Sequence, residues 1–239
     1  MAARAPARAA EAGSGIDVGF PLDLSGERAE ARASGALWLP ARRALVVADL
    51  HLGKSERLAR AGGPLLPPYE GLETLERLRA EIERLGPKLV ISLGDAFDDA
   101  EAALSPDQRL VETLLRLMAG RRWIWMLGNH DPIAPTFGGE GRLDFKLGPL
   151  DLRHEARAAA PGDGRVEVSG HFHPKSVLTL RGRRLSRRCF LWSGDRLILP
   201  AFGAYTGGLC ASSPAFSALL GEKVQTLLLS GGRVLAMAD

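Results

Sequence analysis

Apolar positions in the first half of this chain follow two periods. Continuous runs at 44–48, 88–93 and 123–127 are too short for helices and read as buried strands. Between them, residues 69–85 carry Leu72, Leu75, Leu78, Ile82 and Leu85, spacings of three and four that predict a helix with one apolar stripe. Residues 105–119 repeat the pattern with Leu110, Leu114, Leu117 and Met118. Ser105 is the expected N-cap there, Pro106 the first turn, and Gly120 the stop. Residues 54–61 predict a short helix ended by Gly62-Gly63-Pro64, and 36–40 is expected to pair with 44–48 as a hairpin. Strand, helix, strand, helix, strand is the order of a mostly parallel sheet with covering helices.

The second half changes character. Short segments at 143–147, 149–153, 165–169, 176–180, 184–192 and 196–200 alternate with Gly-, Pro- and Arg-rich turns. Residues 224–229 and 233–237, joined by Ser230-Gly231-Gly232, predict a terminal hairpin. No internal repeat is present. We expect a flexible tail over residues 1–16 and a single domain over 17–239.

Composition changes this picture little. A chain of 239 residues, 46% hydrophobic and 25% charged, is ordinary for a globular protein with a sizeable core. The net charge of +3 is compatible with a polyanionic partner without requiring one. The two cysteines, Cys189 and Cys210, have neither metal-site nor disulfide-framework spacing, and a reducing cytoplasm is expected. No apolar run approaches the roughly 18 residues needed to span a bilayer, so no membrane partner is expected.

The chemistry sits where the apolar runs stop. The first ends in Asp49-Leu50-His51, and on an extended segment side chains at i and i+2 share a face. An Asp-x-His arises by chance in many chains, so the rest must decide. The second run ends in Gly94-Asp95 and the third in Gly128-Asn129-His130-Asp131. In the β-rich half, His154 closes one segment, and Gly170-His171-Phe172-His173 closes another. All five histidines of the chain thus lie at strand ends, beside carboxylates and an amide. Ligand sites of open α/β sheets lie outside the carboxyl ends of strands. Oxygen and imidazole donors without thiolate suit Mn²⁺, Fe or Zn²⁺.

Taken in order, Asp-x-His, Gly-Asp, Gly-Asn-His-Asp, His and Gly-His-x-His resemble the calcineurin-like metallophosphoesterases. The resemblance implies an α/β fold, a four-layer α/β/β/α sandwich of two mixed sheets flanked by helices. It implies two divalent ions, with Mn²⁺ favoured. Asp49, His51 and His173 would hold the first, Asn129, His154 and His171 the second, and Asp95 would bridge both. His130 corresponds to the family's catalytic histidine, which Asp131 would orient. One position departs from the family: Asp99 stands where many members have an arginine. Lys54, Arg57 and Arg60 are the candidate substitutes for binding substrate phosphate; the same three residues also fit a solvated helix face.

The stretch Leu197-Ile198-Leu199-Pro200-Ala201-Phe202-Gly203-Ala204-Tyr205-Thr206-Gly207-Gly208 fits a tight turn region bracing the second sheet; with Asp49-Leu50-His51-Leu52-Gly53-Lys54 it resembles the bacterial ligase-associated DNA damage response endonucleases. That resemblance implies a phosphodiesterase cutting single-stranded DNA internally, as a monomer or homodimer working with a DNA ligase and a helicase. Arg181, Arg183, Arg184, Arg187 and Arg188 would follow a phosphate backbone, or form a solvated hairpin. Phe172, Trp192, Phe202 and Tyr205 are candidates for base stacking. A small-molecule phosphatase or nucleotide pyrophosphohydrolase would need a capping insertion, which the short span from Asp131 to His154 does not offer. A non-catalytic scaffold would have lost some of the ligands, and none is missing.

Overall fold

Strand β4 (Ala44–Val47) is buried throughout, and its side chains enter two cores in alternation. Ala44 and Val46 face one core, Leu45 and Val47 the other. β5 (Leu89–Ser92) and β6 (Arg122–Met126) do the same, with Leu89, Ile91, Ile124 and Met126 on the first side and Val90, Trp123 and Trp125 on the second. A strand that is apolar at consecutive positions must be covered on both faces. The molecule was analysed as a computed structural model that describes residues 19–63, 69–159, 162–180 and 182–237.

β4, β5 and β6 pair in parallel within a seven-stranded sheet. β1 (Phe20–Leu24), β2 (Glu27–Ala31) and β3 (Leu37–Leu39) extend it antiparallel on one side, and β7 (Glu140–Arg142) adds a parallel edge. The second sheet comprises β8 (Asp144–Leu147), β9 (Leu150–Arg153), β10 (Val166–Ser169), β11 (Lys175–Leu180), β12 (Arg183–Trp192), β13 (Arg196–Ile198), β14 (Gln225–Ser230) and β15 (Arg233–Ala236). Its order is β15-β14-β12-β13-β10-β9-β8, with β11 paired to β12 off that path, and it too is mixed.

The first core lies between the sheets, where Leu152, Val168, Phe190, Leu197 and Leu227 meet Val46, Ile91 and Ile124. The second lies beneath α2 (Glu70–Leu85) and α4 (Gln108–Met118), whose Leu75, Leu78, Ile82, Leu110, Leu114 and Leu117 cover Trp123 and Trp125. The third joins Phe216 and Leu220 of α5 (Pro214–Leu220) to Cys189, Leu191 and Leu228. These are the expected four layers. Each side chain fully buried in them contributes about 1.5–3 kcal/mol relative to exposure, which gives the polar loops at the strand ends a rigid base.

The helix expected over 105–119 needs correction. Ser105 instead closes a separate short helix, α3 (Ala100–Leu104), and Asp107 caps α4 by accepting from the Arg109 and Leu110 amides. Pro106 disfavours helical backbone at Ser105, and a carboxylate serves two amides that a serine one turn too early cannot reach. Besides α3, the elements β1, β2, β7 and α5 were not expected from the sequence. In β2 the inward residues are Ala29 and Ala31, which barely register as apolar. The tail expected over 1–16 lies outside the described residues. Among the described residues no helix is long and apolar enough to cross a membrane.

Candidate metal centre

The loops leaving β4, β5, β6, β9 and β10 converge at one end of the two sheets. Beyond Val47 the chain is not extended: Asp49 and His51 both take left-handed backbone, at φ 53° and 46°. Their side chains converge because two such residues alternate with ordinary ones, which corrects the shared-face expectation. Asp95, His171 and His173 are also left-handed, at 45°, 68° and 47°. Each such residue costs on the order of 1 kcal/mol or more and persists only where neighbours enforce it. Here they do: the Asp49 and His51 amides donate to the Gly94 and Asp95 carbonyls at 3.3 and 2.9 Å, and the His171 amide donates to Asp49 Oδ2 at 2.9 Å.

Two groups of metal-ligating atoms result, each within 4.8 Å: Asp49, His51 and His173, and Asp95, His154 and His171. In the first, His51 Nε2 lies 3.2 Å from His173 Nε2, which is 3.5 Å from Asp49 Oδ1. His51 Nδ1 sits 2.8 Å from Asp98 Oδ1, so the ring proton belongs there and the Nε2 lone pair faces the centre. In the second, His154 Nε2 is 2.9 Å from Asn129 Oδ1, 3.1 Å from His171 Nδ1 and 3.4 Å from Asp95 Oδ2. His154 Nδ1 donates to the Leu93 carbonyl at 2.9 Å, again turning a lone pair inward. Asp49 Oδ1, 3.7 Å from His154 Nδ1, joins the groups. Acceptors facing acceptors at these distances repel unless a positive charge lies among them, so the donor set fits divalent cations.

The charges agree. Burial works against ionising both His154 and Asp95, but their mutual hydrogen bond and attraction prevail: His154 is pushed up to about 9 and Asp95 held down at about 2. Burial and the neighbouring His154 charge lower His171, leaving its ring neutral and able to ligate.

A family model for the calcineurin-like phosphoesterases matches residues 42–197, the span that holds every one of these ligands. The chain belongs to that family. Among solved structures, the Pseudomonas putida nuclease MPE is 30% identical, covers 91% of this chain and 98% of its own, and superposes with a TM-score of 0.72. YfcE, a phosphoesterase from E. coli, is 16% identical over 81% of this chain and 96% of its own, with a TM-score of 0.40. No curated protein matches. As a calcineurin-like phosphoesterase the protein is a hydrolase of ester bonds.

In this phosphoesterase the glycines that open the motifs serve close approach. A Cβ at Gly94 would lie 2.4 Å from His154 Nδ1, one at Gly128 2.1 Å from Asp95 Oδ1, and one at Gly170 2.6 Å from Asp49 Oδ2. Each glycine makes room for a ligand arriving from another loop. His130 stands edge-on to His51 at 5.3 Å, with its amide on Asp95 Oδ1 and Nδ1 2.8 Å from the Asp98 carbonyl. Asp131 does not orient it. The Asp131 carboxylate accepts from the Ala96, Phe97 and Gly128 amides and ties the second loop to the third. The imidazole is set instead by the Asp98 carbonyl; the sequence places Asp98 in the family's second motif, three residues past Asp95, without giving it a role.

Asp98 also claims one of the expected phosphate binders. Arg57 pairs with its carboxylate and Lys54 Nζ lies 3.9 Å from it, while Arg60 binds Asp99 at 2.7 Å and Glu101 at 3.3 Å. The aspartate that replaces the family's arginine therefore holds an arginine from α1 (Lys54–Arg60). Of the arginine cluster, Arg183, Arg184 and Arg187 are exposed on the β11–β12 hairpin, and Arg181 lies outside the described residues. Arg188 turns inward to the Ala201 carbonyl at 2.9 Å, and burial lowers it to about 10. Phe202 is fully buried, Trp192 packs on the first core and Phe172 stands edge-on to His171 and Phe216, whereas Tyr205 is 55% exposed.

Proposed function

We propose that this phosphoesterase is a metal-dependent DNA endonuclease that hydrolyses phosphodiester bonds within single-stranded DNA, in the cytoplasm of a bacterium and in DNA repair. The observation that carries the reading is an open ligand rim. Asn129 is exposed, His171 and His173 are partly so, and only β7, β8 and β9 fill the span from Asp131 to His154, with no helix to cap the centre. A polymer can lie across such a rim. Likeness to a Pseudomonas putida nuclease at 30% identity supports the choice of substrate, and a role beside a DNA ligase and a helicase is what the resemblance of the motifs implies.

Asp49, His51 and His173 would hold one cation and Asn129, His154 and His171 another, with Asp95 between; Mn²⁺ is favoured, and Fe and Zn²⁺ suit the same donors. Bound there, two divalent ions would lower the pKa of a water and polarise a phosphate ester. The protein's own part is positioning and proton transfer. His130, held through Nδ1, donates a proton to the departing oxygen, and Asp131 keeps its loop against Ala96 and Phe97. Lys54 is the phosphate-binding cation nearest the centre, with Arg57 and Arg60 behind it. Incubating protein and Mn²⁺ with circular single-stranded DNA is expected to yield linear and shorter products, and His130→Ala to slow the reaction about 10²–10⁴-fold. Circles that stay intact with the wild-type protein would exclude the endonuclease.

A further inference from the structure

Tyr205 is an aromatic residue in a place that disfavours it. Its φ is 54°, a left-handed conformation that bulky side chains rarely adopt and that glycine takes freely. Glycines stand close by at 203, 207 and 208, so the local backbone already relies on them. The ring is nevertheless 55% exposed, and so buries too little to account for its presence by packing. Residues held this way cluster at ligand clamps and active sites.

The segment around it is tied to the metal-ligand loops on both sides. The Phe202 and Gly203 amides donate to the Ala48 and Asp49 carbonyls at 2.7 and 3.1 Å, and the Ala204 amide to Thr74 Oγ1 at 2.9 Å. On the far side, Gly208 lies so close to His173 that a Cβ would fall 2.0 Å from its carbonyl oxygen. Tyr205 is two residues from the first anchor and three from the second, no more than about 7 and 11 Å of extended chain. Both anchors belong to one metal-ligand group, that of Asp49, His51 and His173. Cations gather beside the segment. Lys175 Nζ donates to the Thr206 carbonyl at 2.7 Å and Arg188 to the Ala201 carbonyl at 2.9 Å.

We infer that Tyr205 is a substrate-positioning residue that stacks on an unpaired nucleobase next to the bond to be cut, while Lys54 and Lys175 attract the strand's phosphates. Exposed aromatics set among cations are how single strands are held without regard to sequence. A base inside a duplex has no free face to offer, so the same contact selects single-stranded over double-stranded DNA. The inference rests on the endonuclease reading above.

The test compares binding of two labelled strands by fluorescence anisotropy in Ca²⁺: oligo-dT, and an equally long strand of abasic residues that keeps the phosphates and lacks the bases. The wild-type protein is expected to prefer oligo-dT. Tyr205→Ala should weaken oligo-dT binding by about 5–100-fold, the range for one lost stack, so that the preference collapses, and Tyr205→Phe should restore it. Tyr205→Gly, which relieves the backbone, should melt no lower than wild type while binding oligo-dT as poorly as the alanine variant. Unchanged oligo-dT affinity in Tyr205→Ala, or an equal loss on both strands, would overturn the assignment. A wild-type protein that binds neither strand would instead remove the endonuclease reading itself.

Discussion

Single side chains here settle which nitrogen of each ring is free. His51 gives its Nδ1 to Asp98 and His154 its Nδ1 to Leu93, so both offer Nε2 to the centre. His154 also carries a large titration effect. Without metal its ring stays charged up to about 9, because Asp95 and Asp49 outweigh its burial. A histidine raised above its unfolded value of about 6.5 lends stability that is complete below that value and is lost as pH climbs through 9. A bound cation must displace that proton, so metal affinity runs the other way. The metal-free protein should therefore lose melting temperature between pH 6.5 and 9, and the gain on adding Mn²⁺ should grow over the same range. A Mn²⁺-induced gain that shrinks as pH rises would refute the assignment of His154.

The loops act as elements that interlock, each glycine admitting a ligand from a neighbour. Gly170 shows this best, since Asp49 Oδ2 occupies the space its Cβ would need. Gly170→Ala should displace the Asp49 carboxylate and cut affinity for one metal about 10–100-fold, as losing a supporting contact does elsewhere. The added methyl would also meet Ala48 Cβ of the first core at 2.8 Å, so some loss of stability should accompany the weaker metal binding. Titration calorimetry alongside circular dichroism would check both, and unaltered metal binding would contradict the close approach. These contacts explain what was legible in the sequence. The buried strands β4, β5 and β6 and the motifs at their ends could be read, because apolar runs and clustered donors are local signals. The left-handed turns at Asp49 and His51, the displacement of Arg188 from the hairpin surface and the roles of Asp98 and Asp131 depend on contacts between distant loops. β2 carries little apolar signal because its inward positions include the small Ala29 and Ala31.

On the scale of the whole molecule, two mixed sheets press their strand ends together so that ligands from residues 49 to 173 meet at one point. Neither sheet holds a complete group. Asp49 and His51 follow β4 in the first sheet, while His171 and His173 follow β10 in the second. The four-layer fold was legible as a consequence of the motifs, whereas nothing in the ligand pattern itself distinguishes a polymer from a small ester; the proposed substrate rests on the resemblance of the stretch ending at Gly208, the nuclease likeness and the open rim. The central claim is a centre for two metals drawn from both sheets. Titrating the metal-free wild-type protein and Asp49→Ala with Mn²⁺ tests it most directly. Two ions per chain in the wild type and one in Asp49→Ala is the predicted result; one ion or none in the wild type, or two in the variant at unchanged affinity, would contradict it.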